Sequence, residues 1–84
     1  MKAKEIFKDL GYTKKVNNNQ EVIYNKLFIE EHIDEFIIFN KKEKIIEVFN
    51  KTAQNDYEDC HMPINVDELK AINKQVEELG WNKW

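Results

Sequence analysis

The sequence predicts a two-layer α+β sandwich: an N-terminal helix, an antiparallel meander of three to four strands, and a C-terminal helix, with both helices on one face of the sheet. Three observations carry this. Apolar residues at both ends of the chain recur at helical spacing. The middle holds strand-length runs rich in β-branched and aromatic residues. The links between those runs are too short for parallel crossovers, which need about a dozen residues.

The first helix is expected over 2–10, because Ala3, Ile6, Phe7 and Leu10 fall at i, i+3, i+4 and i+7. "YTKKV" (12–16) reads as a weak first strand. "EVIYNKLFI" (21–29), "DEFIIFN" (34–40) and "KIIEVFN" (44–50) read as the three main strands. "NNNQ" (17–20) and "NKKEK" (40–44) are turn clusters. The final helix is expected over 66–79, from the spacing of Val66, Leu69, Ile72, Val76 and Leu79. Asn65 is a good N-cap, and Glu68 three residues on completes a variant capping box. The stretches "FKDLGYTK" and "VEELGWNK" look like a repeat. They are most simply the same helix stop used twice. Gly11 and Gly80, the two glycines of the chain, supply the left-handed residue. Phe7 with Tyr12 and Val76 with Trp81 supply the apolar contact of a Schellman ending.

The expected core takes Ile23, Leu27 and Ile29 from the first main strand, accepting Asn25 as a flaw. It adds Phe36 and Ile38 from the second and Ile46 and Val48 from the third. Ile6, Phe7, Leu10, Leu69, Ile72, Val76 and Leu79 complete it from the helices. Tyr24, Phe28, Ile37, Phe39, Ile45 and Phe49 are left for the opposite face. A sheet with one wet face should alternate cleanly, and "FIIF" does not. Either the termini or the long loop 51–64 covers that second face, or a partner does (another protein or a second copy of the chain), or the register of the face assignment is wrong.

The 84 residues suffice for one domain, 1–84. Charged residues make up 35% and hydrophobic ones 42%, an ordinary globular balance. No segment approaches the roughly 20 apolar residues that span a bilayer, so no membrane association is expected. "MKAKEIFKDL" lacks the apolar run of a signal peptide. With a single cysteine, this makes a cytoplasmic location the expectation. Every basic residue is Lys, and the net charge is −3. Without Arg, a dedicated nucleic-acid role is disfavoured, although the Lys, Asn and Ile bias also matches A/T-rich coding. The alternative that survives is a lysine-rich hairpin: Lys41, Lys42 and Lys44 at one tip, with Lys14 and Lys15 near the first turn, touching phosphate. Lysines equally protect strand edges and turns.

Catalytic and metal chemistry find little support. Cys60, His61 and His32 lack the paired spacing of a zinc site and the orienting third group of a nucleophilic dyad. No glycine-rich phosphate loop is present in the sequence. No cofactor, metal or catalytic residue is therefore expected. The acidic runs "EEHIDE" (30–35) and "NDYED" (55–59) could face a basic protein or imitate the charge of DNA.

"AKEIFKDLGY", "DEFIIFNKKEKIIEVF" and "INVDELKAINKQVEELGW" together resemble small proteins encoded by phages and prophages of low-GC Gram-positive bacteria. Asn65-Val66 stands where that resemblance places Thr-Pro, which keeps the capping logic and drops the proline. The resemblance carries no catalytic residue to this chain. It implies a non-enzymatic accessory protein in the cytoplasm of an infected or lysogenic host. The expected function is a protein-binding module that occludes or modulates a host protein, with homodimerisation the other use of its second face.

Overall fold

A computed structural model describes residues 1–30, 32–52 and 64–81. Its elements run α1 (Ala3–Asp9), β1 (Thr13–Asn17), β2 (Glu21–Phe28), β3 (Ile33–Asn40), β4 (Ile45–Thr52) and α2 (Val66–Glu78). The four strands form one antiparallel sheet in the order β1-β2-β3-β4. The weak segment near the first turn is a strand, interrupted between Lys14 and Val16 by an irregular register.

Side-chain amides build the turns. Asn18 Oδ1 accepts from Gln20 N at 2.8 Å and Glu21 N at 2.9 Å. Asn40 Oδ1 accepts from Lys42 N at 3.1 Å and Glu43 N at 3.0 Å. These Asx turns set the hairpins without glycine. Both helices stop as the sequence predicts. Tyr12 N donates to Phe7 O at 2.9 Å and Gly11 N to Lys8 O at 3.0 Å; Trp81 N donates to Val76 O at 3.1 Å and Gly80 N to Glu77 O at 3.0 Å. Gly11 has φ 96° and Gly80 φ 76°. These are two Schellman endings.

The N-terminal cap of α2 is reciprocal: Asn65 Oδ1 accepts from Glu68 N at 2.8 Å, and Asn65 N donates to Glu68 Oε1 at 3.0 Å. The N-terminus of α1 is tied to the end of α2, where Glu78 Oε2 accepts from Ala3 N at 2.6 Å. Both helices therefore cross the same side of the sheet as one layer.

The core overturns much of the expected face assignment. The buried side of β2 and β3 presents Val22, Tyr24, Ile37 and Phe39, together with Glu35. Phe7 stacks on Tyr24 at 3.9 Å and meets Phe39 edge-on at 6.3 Å. Ile23, Phe36 and Ile38, expected inside, are half-buried and point the other way. Leu27 and Ile29, also expected inside, are exposed. Ile46 and Val48 do share the helix side, opposite Phe39 and Ile37, but stay exposed on the edge strand β4. On α2, Leu69 and Val66 are exposed while Glu68, Ala71, Ile72 and Gln75 are buried. Ile6, Leu10, Val76 and Leu79 pack partly buried against the core, as expected.

The physical reason lies in the polar groups. Strands that are apolar on both sides do not choose a face by hydrophobicity. Two polar residues break the tie: Glu35 lies inside, and Asn25, expected inside as a flaw, lies outside. Asn25 sits on the open side, where its Nδ2 donates to Asp34 Oδ1 at 3.3 Å and Glu35 O at 3.2 Å. Glu35 goes inside because partners await it there.

Candidate functional site

The sheet's helix-free side is built from cross-strand rows. Ile23, Ile38 and Glu47 form one row; Asn25, Phe36 and Phe49 the next; Leu27, Asp34 and Lys51 a third. Facing residues in such rows lie close enough to touch. Phe36 and Phe49 stack at 5.0 Å with 19° between their planes. Val16 from β1 and Ile45 from β4 border the patch. The centre of this side is thus aliphatic and aromatic, and its rim carries Glu47, Asp34 and Lys51.

The six residues expected to form an interface divide across the two sides. Tyr24, Ile37 and Phe39 are fully buried beneath the helices and cannot dock a partner. This corrects their assignment. Phe28 is half-buried on the helix side, with Lys26 Nζ 5.0 Å above its ring. Ile45 and Phe49 are exposed on the open side. The residues that join them there, Ile23, Phe36 and Ile38, are ones the sequence assigned to the core.

Beneath the helices lies a cluster that apolar periodicity does not signal. The Tyr12 hydroxyl hydrogen-bonds Glu35 Oε2 from β3 and Glu68 Oε2 from α2. The three residues are 3, 1 and 6% exposed. A hydroxyl has one proton to donate, so one of its two carboxyl contacts must be made by a protonated acid donating to the phenol oxygen. Glu35 fits that role. Burial pushes its carboxyl above the usual range and the Glu68 carboxylate adds to the rise, against the opposing pull of the Tyr12 hydrogen bond and Lys26. Burial, and then hydrogen bonding to Glu35 and Glu68, also raises the Tyr12 phenol. Glu68 uses its other oxygen for the α2 cap, so one side chain joins helix start to sheet. Paired carboxylates can perform acid–base chemistry; here both side chains are buried and bonded to one phenol. Their arrangement is that of a fastening. Tyr24 makes a second one, donating to Gln75 Oε1 of α2 at 2.6 Å. The signal available in sequence was the coincidence of two tyrosines with Glu68 and Gln75 on α2. Glu35 belongs to the acidic run 30–35, which is therefore not wholly a surface feature.

The lysines are dispersed in role. Lys41 Nζ reaches Asn18 O at 2.6 Å and Asn17 Oδ1 at 3.4 Å, bracing one turn against another. Lys42 and Lys44 are exposed at the β3–β4 turn, and Lys15 is exposed on β1. Lys14 is half-buried, 5.6 Å from the Tyr24 ring centre. Burial and then Lys4 lower its pKa. Lys4, Lys8, Tyr12, Thr13 and Lys14 line an open notch of about 390 Å³ between α1 and β1. His32 is exposed in the β2–β3 turn with φ 56°. Cys60 and His61 lie outside the described residues. Among the described residues no group of three or more His, Cys, Asp or Glu could hold a metal ion. None of their helices is long and apolar enough to cross a membrane.

No family model, curated protein or solved structure matches the chain.

Proposed function

We propose that the chain is a non-enzymatic protein-binding module. It docks through the open side of its sheet and acts by occluding or modulating a host protein, in keeping with the phage accessory role its sequence resemblance implies. One observation carries the reading. Half-buried Ile23, Phe36 and Ile38 and exposed Phe49 form a contiguous apolar patch on a side that neither helix covers among the described residues. An antiparallel sheet with one solvated face ordinarily alternates to polar residues there. Contiguous apolar patches on soluble domains mark interaction sites. The charged rim of Glu47, Asp34 and Lys51 suits an interface whose centre is dry and whose edge is wet.

The test is comparative capture from host extract with wild-type protein and Ile38→Lys as baits. Ile38 points away from the core, so the variant should keep the wild-type far-UV circular dichroism spectrum. A protein retained by the wild type and lost by Ile38→Lys supports the reading. Identical recovery by both baits, or none by either, overturns it. A Lys4→Glu/Lys8→Glu bait, altered only at the basic notch, should retain the same partner.

A further inference from the structure

The sheet has two edges of opposite character. β1 is five residues long, irregular between Lys14 and Val16, and carries Lys14 and Lys15. Short, bulged, lysine-bearing edges discourage the addition of another strand. β4 is eight residues long, and β3 is its one strand neighbour among the described residues. Ile45, Ile46, Val48 and Phe49 remain 42, 38, 38 and 44% exposed, on both sides of that edge. The charges along β4 are symmetric about Phe49: Glu47 lies two residues before it and Lys51 two after. All three project from the open side.

We propose that β4 pairs antiparallel with β4 of a second copy of this chain, about a two-fold axis at Phe49, joining two four-stranded sheets into one. In this register Glu47 stands opposite the partner subunit's Lys51, and Lys51 opposite the partner subunit's Glu47. Phe49 meets the partner subunit's Phe49. Because Phe36 already stacks on Phe49, the two stacks become a row of four rings across the interface. Neighbouring registers lose this match. An axis at Val48 puts Glu47 against the partner subunit's Phe49 and Lys51 against the partner subunit's Ile45. An axis at Asn50 puts Lys51 against the partner subunit's Phe49. A two-fold interface must be self-complementary, and the Phe49 register pairs both charges with their opposites.

The inference rests on the reading that this half of the molecule is an interface, but it can fail alone. The dimer uses the β4 edge and leaves Ile23 and Ile38 open for the other protein.

Sedimentation equilibrium on the full chain, from micromolar to millimolar concentration, tests it. The wild type should fit a dimer of the 10.1 kDa chain. Glu47→Lys alone and Lys51→Glu alone each set like charges opposite one another twice, and should weaken the dimer about tenfold or more. The double variant Glu47→Lys/Lys51→Glu should restore it. A wild-type monomer throughout the range overturns the proposal and leaves the capture experiment with Ile38→Lys unaffected. A dimer insensitive to both reversals, or one the double variant fails to restore, overturns it as well. Circular dichroism spectra matching the wild type separate lost association from lost folding.

Discussion

The two sides of this sheet are made of similar material and meet different fates. On the helix side, Val22, Phe39 and Ile46 form one row and Tyr24, Ile37 and Val48 the next. On the open side, Ile23 and Ile38 align with Glu47, and Phe36 with Phe49. Apolar content alone would let the helices settle on either side. Their polar residues decide. The sheet-facing stripe of α2 carries Glu68 and Gln75, both buried. Tyr12 and Tyr24 meet them with hydroxyls. The open side has no tyrosine in its central rows. Helices placed there would leave Glu68 and Gln75 buried against Ile23, Phe36 and Ile38, and each unmet polar group costs about 1–3 kcal/mol. Hydrophobicity makes the sheet sticky on both sides, and hydrogen bonding selects which one is covered.

The sharpest way to break this contrast is truncation on each side. Tyr24→Ala removes a ring stacked on Phe7 and orphans Gln75 Oε1. It should cost about 3–5 kcal/mol, enough to unfold most of an 84-residue domain. Phe36→Ala on the open side removes a half-buried ring with one stacking partner among the described residues, and should cost about 1–2 kcal/mol. Urea denaturation gives both values. Equal losses would mean that the open side is as much core as the other.

A gentler probe isolates the hydrogen bond. Tyr24→Phe keeps the ring and leaves Gln75 Oε1 without its donor, at a cost of about 1–3 kcal/mol. Tyr24→Phe/Gln75→Leu should recover most of that, since the polar acceptor goes with its donor. A neutral Tyr24→Phe would show that hydrogen bonding does not choose the covered face.

The buried carboxyl adds a pH dependence to the covered side. Glu35 has a folded pKa above its unfolded one, so the folded state holds its proton more tightly. Its contribution is fully present below the ordinary carboxyl pKa of about 4.3 and is lost as pH rises through the raised value. The groups facing it are Tyr12 from the end of α1, Glu68 from α2 and Lys26 from β2; Lys26 alone among them favours the ionised form through its charge. Glu35→Gln supplies a permanent neutral donor to the Tyr12 oxygen. Thermal melts should show wild type and Glu35→Gln close together at about pH 4 and the variant gaining relative to wild type towards about pH 8. Parallel profiles would remove the proton from the cluster. At the alkaline end, burial and then Glu78 push the Tyr24 phenol up to about 12, so stability should fall as unfolded tyrosines ionise above about pH 10.

The architecture was legible because its signals are local. Helical spacing, strand-length apolar runs, Asx turns and two Gly stops each act within a few residues, and each appears where expected. The face assignment was not legible, because it is a tertiary choice. "FIIF" reads the same from both sides, and Val66 and Leu69 sit at plausible core spacing yet face solvent. The capping signal of Glu68 uses one carboxylate oxygen, and the other, which no local pattern assigns, holds α2 to Tyr12. Ile45 and Phe49 lie on the side away from the helices, as their alternation predicts. Tyr24, Ile37 and Phe39 lie beneath the helices instead, and nothing in the chain's period distinguishes a tyrosine that will find a glutamine 51 residues away.

The smallest expected effect concerns how the covered side is sealed at its ends. Gly80 and Gly11 both hold left-handed backbone, yet their surroundings differ. A Cβ at Gly80 would meet nothing within 4 Å, whereas one at Gly11 would come within 3.2 Å of Lys26 Cε. Gly80→Ala therefore carries only the backbone penalty, about 1 kcal/mol. Gly11→Ala adds the displacement of Lys26, whose ammonium lies 5.5 Å from the Tyr12 ring centre. Lys26 is the cation that opposes the rise of the Glu35 pKa, so moving it should raise that pKa further. Gly11→Ala should then steepen the loss of stability between about pH 4 and about pH 8, while Gly80→Ala shifts the whole profile down without changing its slope. Identical slopes in the two variants would detach Lys26 from the buried cluster and leave the Gly11 turn a purely mechanical stop.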